Sequence, residues 1–245
     1  MPLTRYAPTP SGYLHAGNIA NLRIVRRLAD EIGAAVALRI DDADAGRYRR
    51  DYAADIFRVL RQEGLGWDIG PRDVDDFERE WSQRSRTEAY RDALLTSTLD
   101  WYSCSCTRLT LRGIPSGGCS GRCRDAGLDP RPGIGTLRVV VPTGTEVDVG
   151  GTPVRLDLAM GDFVVWRRDD LPSYQLVSVI EDRDLGTSHI VRGEDLLASS
   201  AAQVFLAGFL GADNVVHATY LHHPLILGPD GRKLSKSTLT RSEET

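Results

Sequence analysis

The sequence predicts an α/β fold in which a parallel sheet is interrupted by an inserted segment of different composition. A strand that ends near Arg5 is followed by a tight loop, a helix over 19–32 and a buried apolar run over 34–40. A second apolar strand, 220–227, leads into a glycine-rich stretch near the end of the chain. Between these regions all four cysteines fall within 104–123, so a separate subdomain is expected there.

The loop between the first strand and the first helix is the first candidate site. Residues 5–18 read Arg-Tyr-Ala-Pro-Thr-Pro-Ser-Gly-Tyr-Leu-His-Ala-Gly-Asn, and two prolines cannot join a strand ladder, which predicts a turn over 8–12. Free N–H groups at the following helix start suit an anion such as a nucleotide phosphate. His15 would add a donor, and Gly17 leaves room for a base or ribose. A helix cap with a coincidental histidine explains these residues equally well.

The second candidate is the stretch Gly-Pro-Asp-Gly-Arg-Lys-Leu-Ser-Lys-Ser at 228–237. Lys233 and Lys236 are the only lysines of the chain, and every other basic residue is arginine. A compact ammonium on a flexible stem can follow a phosphate through a reaction, whereas a planar guanidinium suits a fixed fork. The choice of lysine here therefore indicates phosphate chemistry, and the alternative is a solvated surface turn.

Both stretches resemble the signatures of class I aminoacyl-tRNA synthetases. Residues 8–18 resemble the first signature (HIGH), and Lys-Leu-Ser-Lys-Ser at 233–237 resembles the second (KMSKS). Four further motifs resemble the glutamyl branch of the family: Arg-Tyr-Ala-Pro at 5–8, Leu-Arg-Ile-Asp-Asp-Ala-Asp at 38–44, Ile-Val-Arg-Gly-Glu-Asp-Leu at 190–196 and His-Pro-Leu-Ile-Leu at 223–227. The resemblance covers nearly the whole chain. It implies a Rossmann-like parallel-sheet catalytic domain with an inserted zinc-binding α+β subdomain.

This resemblance divides the chain into three segments. Residues 1–100 would form the first half of the catalytic domain, 101–175 the zinc-binding insertion that meets an acceptor stem in glutamyl-type enzymes, and 176–245 the second half with the lysine loop. No anticodon-binding domain is expected after it.

Apolar spacing predicts the remaining elements. Helices are expected over 51–62, 78–99 and 199–210. Alternating β-branched residues predict strands over 135–149 and 152–158. The runs 163–168 and 173–180 are interpreted as the two strands of a hairpin, joined by a turn over 167–172.

Composition narrows the class of protein. The chain has 245 residues, 41% of them hydrophobic, with a net charge of −4, which argues against a broadly basic nucleic-acid coat. Local arginine groups at 23–27 and 47–50 could still contact RNA, although such clusters are more often solvated helix faces. Without an apolar run of roughly 20 residues or a charged-then-apolar leader, we expect a soluble, cytoplasmic monomer that does not bind a membrane.

Three carboxylates follow the second strand. Asp41, Asp42 and Asp44 would lie at the carboxyl edge of the sheet, where they could bind a metal, cap the next helix or receive an amino group. In the glutamyl family the residue that matches Asp41 is a glutamate that contacts the amino group of the substrate. The resemblance therefore implies that role for Asp41, and its shorter side chain is a departure from the family pattern.

The resemblance also implies the remaining site residues. His15, Lys233 and Lys236 would be catalytic, and the following residues would bind ATP: Pro8, Ser11, Gly12, His15, Gly17, Asn18, Lys233, Ser235 and Lys236. Glutamate would be bound by Arg5, Ala7, Thr9, Asp41, Tyr174 and Arg192. The guanidinium of Arg192 could hold the side-chain carboxylate through two hydrogen bonds and so select glutamate over glutamine. Its alternative is a surface ion pair with Glu194 or Asp195.

The four cysteines predict a structural metal site. Cys104 and Cys106 form one close pair, and Cys119 and Cys123 form another after twelve residues, which suits one tetrahedral zinc ion with four thiolates and no open position. Unpaired buried thiols and a degenerate site are the alternatives. Cys-Ser-Cys-Thr-Arg at 104–108 resembles a stretch in short relatives that modify queuosine in tRNA(Asp), some of which have a tyrosine as the third ligand, where this chain has Cys119.

The implied activity is ATP-dependent formation of glutamyl-adenylate, with Mg²⁺ entering with the ATP. A full glutamyl enzyme continues well beyond its lysine loop, and no such continuation is expected here. This chain therefore resembles the short relatives, and the expected acceptor is queuosine at the wobble position of tRNA(Asp). Transfer to a tRNA 3′ end or to a small-molecule or carrier acceptor is the alternative within the ligases. A nucleotidylyltransferase and a non-catalytic RNA-binding relic are the alternatives from other classes.

Overall fold

A computed structural model of the chain describes residues 1–107, 109–111, 119 and 121–226. The chain forms two compact units: the first contains Met1–Ser85, Thr187–Asp195 and Thr219–Thr245, and the second contains Arg86–Gly186 and Leu196–Ala218. These units divide the chain at other positions than the segment boundaries expected after residues 100 and 175, and those boundaries stay predictions.

The described residues contain nine strands and eight α-helices, numbered here in chain order. The strands are β1 (Leu3–Tyr6), β2 (Ala35–Leu38), β3 (Trp101–Cys104), β4 (Thr136–Val139), β5 (Glu146–Val149), β6 (Thr152–Arg155), β7 (Val164–Trp166), β8 (His189–Gly193) and β9 (Thr219–His223). The helices are α1 (Ala16–Ile32), α2 (Arg50–Gln62), α3 (Val74–Asp76), α4 (Thr87–Leu95), α5 (Leu156–Ala159), α6 (Tyr174–Leu185), α7 (Leu197–Ala207) and α8 (Asp213–Val216).

The first unit is built on parallel strand pairs. β1 pairs with β2 in parallel, with Leu3 opposite Ala35, and β8 pairs with β9 in parallel. Backbone hydrogen bonds join the pairs at Ser188, whose N–H donates to the carbonyl of Leu3 and whose carbonyl accepts from Thr219, both at 2.9 Å. The predicted strand, helix and parallel strand at the start of the chain are therefore confirmed, and the fold is mixed α/β with parallel strands.

Helix α1 covers this sheet with one apolar face. Leu22, Val25 and Ala29 are buried, at the spacing of successive helical turns. They pack in a hydrophobic core that also contains Val36 and Leu38 of β2. The helix ends at Gly33, which has φ +64°, a left-handed conformation that glycine adopts without steric cost. The chain then turns directly into β2, so the loop before α1 and the end of β2 come to the same edge of the sheet.

The helix predicted over 78–99 is wrong in its first half. The chain instead forms a π-helical turn at Phe77–Trp81, a 3₁₀ turn at Gln83–Arg86 and then α4. Ser82 interrupts the helix in an extended conformation, because its hydroxyl and the N–H of Gln83 both donate to the carboxylate of Asp42, each at 2.7 Å. A tertiary contact with a residue 40 positions earlier therefore overrides the local helical pattern.

The second unit contains antiparallel strands and helices. β4 lies between β3 and β7 in a three-stranded sheet, and β5 and β6 form a hairpin. Trp166, at the end of β7, is fully buried. Predicted strands over 135–149 and 152–158 correspond to β4, β5 and β6, although β4 and β5 are separate strands. The end of the second prediction is wrong, because helix α5 begins at Leu156.

The strand predicted over 173–180 is wrong, because those residues begin helix α6. Ser173 caps this helix by accepting a hydrogen bond from the N–H of Leu176 at 3.3 Å. Every residue from 175 to 182 is buried, so the segment shows no polar face from which a helical period could be recognised. The preceding turn is present, since the N–H of Arg167 donates to the carbonyl of Leu171 at 2.8 Å.

Within the described ranges, no helix combines the length and the apolar character that crossing a bilayer requires.

Candidate active site and metal centre

His15 caps helix α1 and has a defined tautomer. The side-chain Nδ1 of His15 accepts a hydrogen bond from the backbone N–H of Gly17 at 3.2 Å. The backbone N–H of His15 donates to Oδ1 of Asn18 at 3.2 Å. Because Nδ1 accepts, the ring proton must be on Nε2. The helix start therefore presents an imidazole N–H donor together with the N-terminal end of the helix dipole.

The loop before His15 is anchored from helix α2. The N–H of Leu14 donates to Oδ2 of Asp55 at 3.0 Å, and Asp55, which is only 5% exposed, also pairs with Arg58. Sequence patterns did not single out Asp55, because it lies on a regular helix 40 residues away. Its contact fixes the backbone immediately before the capping histidine.

A cavity of about 280 Å³ adjoins this loop in the first unit. Its wall contains residues that the sequence assigned to both substrates: Pro8, Ser11 and Asn18 for ATP, and Ala7 and Thr9 for glutamate. Leu14, Asn21, Leu22 and Arg47 complete the lining. A smaller recess of about 30 Å³ shares Thr9, Ser11 and Arg47 with it and is also lined by Pro10, Asp41, Asp42, Asp44 and Tyr48.

The two adjacent aspartates after β2 differ in their surroundings. Asp41 accepts from Arg39 and Gln83 and lines the recess with its side chain 11% exposed. The side chain of Asp42 is fully buried and accepts from Ser82, Gln83 and Arg84. Burial raises the pKa of Asp42 above its usual value, although these hydrogen bonds act in the opposite direction.

Two predicted glutamate ligands lie on the buried strands. Arg5 lies in β1 and is 2% exposed, and Arg192 lies in β8 opposite His222 and is 4% exposed. Arg192 is therefore a buried residue of the strand rather than a surface residue. Burial and the charge of Arg192 lower the pKa of His222.

Other predicted site residues lie elsewhere. Gly12 is part of the turn before His15. Tyr174 is the first residue of α6 in the second unit, where it is 44% exposed. Lys233, Ser235 and Lys236 lie outside the described residues.

The four cysteines form one cluster in the second unit. The Sγ atoms of Cys104, Cys106, Cys119 and Cys123 all lie within 4.8 Å of one another. Cys106 Sγ is 3.8 Å from Cys119 Sγ and 3.7 Å from Cys123 Sγ. Zinc–sulfur bonds of about 2.3 Å at tetrahedral angles separate neighbouring sulfurs by about 3.8 Å. The cluster can therefore hold a metal ion of that geometry.

The surroundings of the thiols favour thiolates at one side of the cluster. Burial raises the pKa of Cys119, but the N–H of Cys123, the hydroxyl of Tyr102 and the N–H of Gly121 together lower it to about 6. Arg122 donates to Cys106 Sγ at 3.5 Å. At the opposite side, burial raises the pKa of Cys104 to about 12, so a metal ion would have to displace its proton.

Asp162 stabilises the residues around this cluster through hydrogen bonds. It pairs with Cys119 through a backbone bridge, and its carboxylate accepts from the hydroxyl of Tyr102 at 2.8 Å and from Nη2 and Nε of Arg124 at 2.6 and 2.8 Å. The N–H of Val141 donates the fourth hydrogen bond at 3.0 Å. Asp162 lies 39 residues after Cys123 and belongs to no recognisable motif, so the sequence did not indicate its contact with the cluster.

The comparison with protein families gives one match over most of the chain. The model of "tRNA synthetases class I (E and Q), catalytic domain" matches residues 3–115 and 133–245.

Similar curated proteins carry two names. Glutamyl-Q tRNA(Asp) synthetase of Symbiobacterium thermophilum is 37% identical over 252 residues, which cover 95% of this chain and 77% of that protein. The protein of the same name from Pseudomonas aeruginosa is 38% identical over 235 residues, with 95% and 76% covered. Glutamate–tRNA ligase of Sulfurihydrogenibium sp. is 34% identical over 259 residues, with 96% and 52% covered.

The fold also matches a solved structure. The chain superimposes on a glutamate tRNA ligase from Elizabethkingia meningosepticum, solved in complex with its amino acid, with a TM-score of 0.76 and 24% identity. The match covers 98% of this chain and 53% of that one, so the chain spans about half the length of this enzyme. The first signature, the parallel strands and these similarities agree: the chain belongs to the class I aminoacyl-tRNA synthetases, a family of ligases, in the branch of the glutamate and glutamine enzymes.

Proposed function

We propose that this chain activates L-glutamate with ATP to glutamyl-adenylate and transfers the glutamyl group to queuosine at the wobble position of tRNA(Asp). One observation carries the activation step. The capping imidazole of His15 stands at the helix start next to Leu14, which lines a cavity whose wall also contains residues that the resemblance assigns to ATP and residues that it assigns to glutamate.

In the activation step, an oxygen of the glutamate α-carboxylate attacks the α-phosphorus of ATP. The bond to the bridging oxygen breaks, and pyrophosphate leaves with that electron pair. The protein has little covalent chemistry to perform, and it accelerates the displacement by aligning the two substrates and stabilising the spreading negative charge. Mg²⁺, entering with ATP, would neutralise part of the phosphate charge.

The chain's own residues have separate roles in this proposal. His15 Nε2–H would donate to the phosphates at the start of α1, and Pro8, Ser11 and Asn18 line the nucleotide side of the cavity. Gly12 and Gly17 would leave room for the nucleotide at the loop and the helix start. Lys236, with Lys233 and Ser235 beside it, would follow the leaving pyrophosphate.

Glutamate would bind at the other side of the same cavity. Ala7 and Thr9 line it, and Asp41 would receive the α-ammonium. Arg5 and Arg192, buried cations of the central strands, would hold the carboxylates, because a desolvated guanidinium binds a carboxylate strongly and in a fixed orientation. The resemblance to the glutamyl enzymes also implies a glutamate contact for Tyr174.

The cysteine cluster would hold one zinc ion with a structural role. All four tetrahedral positions would be occupied by Cys104, Cys106, Cys119 and Cys123, which leaves no position for a substrate. The ion would hold together the loops that follow β3, and the chemistry of the reaction would be independent of it.

The acceptor assignment is supported by the relatives. Two glutamyl-Q tRNA(Asp) synthetases are 37% and 38% identical to this chain, and the glutamate–tRNA ligase of Sulfurihydrogenibium is 34% identical. Transfer to a tRNA 3′ end is the second candidate for that reason. A cytoplasmic monomer is the corresponding cellular form in the proposal.

The activation step is tested by exchange of labelled pyrophosphate into ATP. We expect exchange that requires L-glutamate and is not supported by L-glutamine. Exchange that ignores the amino acid would indicate a nucleotidylyltransferase instead, and no exchange with or without tRNA would indicate a non-catalytic protein.

The acceptor is tested with labelled glutamate and two forms of tRNA(Asp), with and without queuosine, alongside tRNA(Glu). We expect label only on the queuosine-containing tRNA, and its recovery on the anticodon fragment rather than on the 3′ terminal nucleotide after nuclease digestion. Labelling of tRNA(Glu) would assign the second candidate, and labelling of none of them would remove tRNA transfer from the proposal.

A further inference from the structure

We propose that Gln83 and Arg39 are positioning residues that fix the carboxylate of Asp41 so that one acceptor position, on Oδ2, is left for the α-ammonium of the amino acid. The inference rests on the proposed function, because it concerns how that site recognises its amino-acid substrate.

Three hydrogen bonds fix the orientation of Asp41. Nε of Arg39 donates to Oδ1 at 2.7 Å, Nη2 of Arg39 donates to Oδ2 at 3.2 Å, and Nε2 of Gln83 donates to Oδ1 at 3.0 Å. An ionised carboxylate offers about four lone-pair positions. Both positions on Oδ1 are therefore filled, and one of the two on Oδ2 is left.

The two donors are themselves held rigidly. The side chain of Arg39 is 3% exposed. Gln83 is 1% exposed, its backbone N–H donates to Oδ1 of Asp42 at 2.7 Å, and its Oε1 accepts from the N–H of Ala43 at 3.3 Å. Gln83 thus contacts three successive residues of the loop after β2. Rotation of Asp41 would break bonds on both sides of that loop.

The recess beside Asp41 is large enough for a small cation. Asp41 lines the recess of about 30 Å³ together with Thr9 and Ser11, which also line the larger cavity. That volume exceeds the roughly 10–15 Å³ needed for one water-sized group, so an ammonium can enter. An amino acid in the cavity could therefore place its amino group in the recess.

The charges of the recess favour the same ligand. Asp41, Asp42 and Asp44 contribute three carboxylates to its wall, and Arg47 contributes one cation. The carboxylate of Asp42 is fully buried and is held by Ser82, Gln83 and Arg84, so it supports the loop rather than a ligand. Asp41, pre-oriented and at the wall, can bind a cation without the cost of ordering its side chain.

The hydrogen bonds from Arg39 and Gln83 matter more because position 41 is an aspartate and not the glutamate of the glutamyl family. Aspartate is one methylene shorter than the glutamate found here in the glutamyl family, and the shorter side chain reaches less far into the site. A rigid carboxylate requires the ammonium to come to it, whereas a flexible one could follow the ligand. We therefore expect this site to depend strongly on the donors that hold Asp41.

The experiment compares the binding of two ligands by calorimetry: L-glutamate and glutarate, which has both carboxylates but no amino group. Two variants remove the donor to Asp41. Gln83→Met keeps approximate size, and Gln83→Glu keeps an acceptor for the N–H of Ala43. Gln62→Met, at an exposed glutamine that bonds only Arg58, is the matched control. Circular dichroism and thermal unfolding identify any variant that does not fold, and the folded one is then used.

We expect glutamate to bind about tenfold more weakly to the Gln83 variants, as when a charge-assisted hydrogen bond is misplaced, while glutarate binding changes by less than about twofold. Gln62→Met should change neither. Equal weakening of both ligands, or no weakening, would overturn the positioning role.

Because binding is measured without ATP, a wild type that binds glutamate more tightly than glutarate but shows no exchange would remove the proposed function and leave this inference standing. Equal binding of both ligands to the wild type would overturn the inference even if exchange is present.

Discussion

The recess in the first unit and the cysteine cluster in the second each contain an aspartate held by hydrogen bonds, the partly buried Asp41 and the buried Asp162, but the two carboxylates differ in how completely they are bonded. Asp162 accepts four hydrogen bonds, from Tyr102, Val141 and twice from Arg124. Asp41 accepts three. A carboxylate offers about four acceptor positions, so the first is saturated within the chain and the second has one position remaining.

This difference separates a supporting role from a binding role. Burial alone would raise the pKa of Asp162, but Arg124, the N–H of Val141 and Tyr102 hold it below the usual value. Such a carboxylate stays ionised and can only stabilise its own surroundings. The cysteine cluster beside it would be closed in the same sense, since four thiolates would occupy all four positions of a tetrahedral metal ion. At the recess, one unfilled position at a cavity wall can bind a ligand.

The largest expected effect tests whether the cysteine cluster of the second unit binds a metal ion through all four thiolates. Cys106→Ser removes one of four thiolates from a site with no spare ligand, so zinc should fall from about one ion per chain to none. Metal analysis of purified protein measures this directly.

Thr143→Ala is the matched control, because it changes an exposed side chain of the second unit and leaves all four thiols in place. It should retain a full complement of zinc. A Cys106→Ser protein that keeps its zinc would show that the cluster is not the metal site.

The next effect tests the first unit. His15→Ala removes the proposed donor to the phosphates and should slow glutamate-dependent pyrophosphate exchange about 10²–10³-fold, the usual loss for one pre-organised donor to developing charge. Thermal unfolding should show a smaller change, since the helix loses one cap interaction of about 1 kcal/mol.

His217→Ala provides the control, because His217 is an exposed histidine at the end of α8 in the second unit. Its exchange rate should equal that of the wild type. If His15→Ala also exchanges normally, the capping histidine has no part in the reaction.

The smallest effect tests the saturated carboxylate. Asp162→Asn keeps one acceptor but places an amide N–H₂ where Arg124 or Val141 now donates. We expect the free energy of unfolding to fall by about 1–3 kcal/mol, the cost of leaving a buried donor unsatisfied. Urea unfolding of the zinc-loaded proteins measures it.

Asp129→Asn is the comparison variant, because Asp129 pairs with Arg131 at the surface and holds nothing buried. Its unfolding curve should coincide with that of the wild type. A similar loss for both variants would mean that saturation by buried donors does not distinguish Asp162.

Local patterns in the sequence determined the elements whose information lies within a few residues. The turn over 8–12, the helix ended by Gly33 and the parallel strand after it are confirmed, since proline, glycine and apolar spacing act locally. The cysteine spacing likewise predicted a cluster, and the four sulfurs do come together.

Patterns failed where long-range contacts determine the conformation. The helix predicted over 78–99 is broken because Asp42 takes the hydroxyl of Ser82 and the N–H of Gln83. Residues 173–180 form a helix because they are buried on all sides, which removes the periodicity that distinguishes a helix from a strand. Neither condition is visible in a short window of sequence.

The sequence by itself determined the family, the two signature stretches, the α/β character and the cysteine cluster, because each is written in residue types at fixed spacings. Only the tertiary structure decided which carboxylate is saturated and which has an acceptor position left. That distinction depends on donors such as Gln83 and Arg124, which lie 42 and 38 residues away from the aspartates they bond. Hydrogen-bond saturation is a property of the folded surroundings, and no residue type or spacing encodes it.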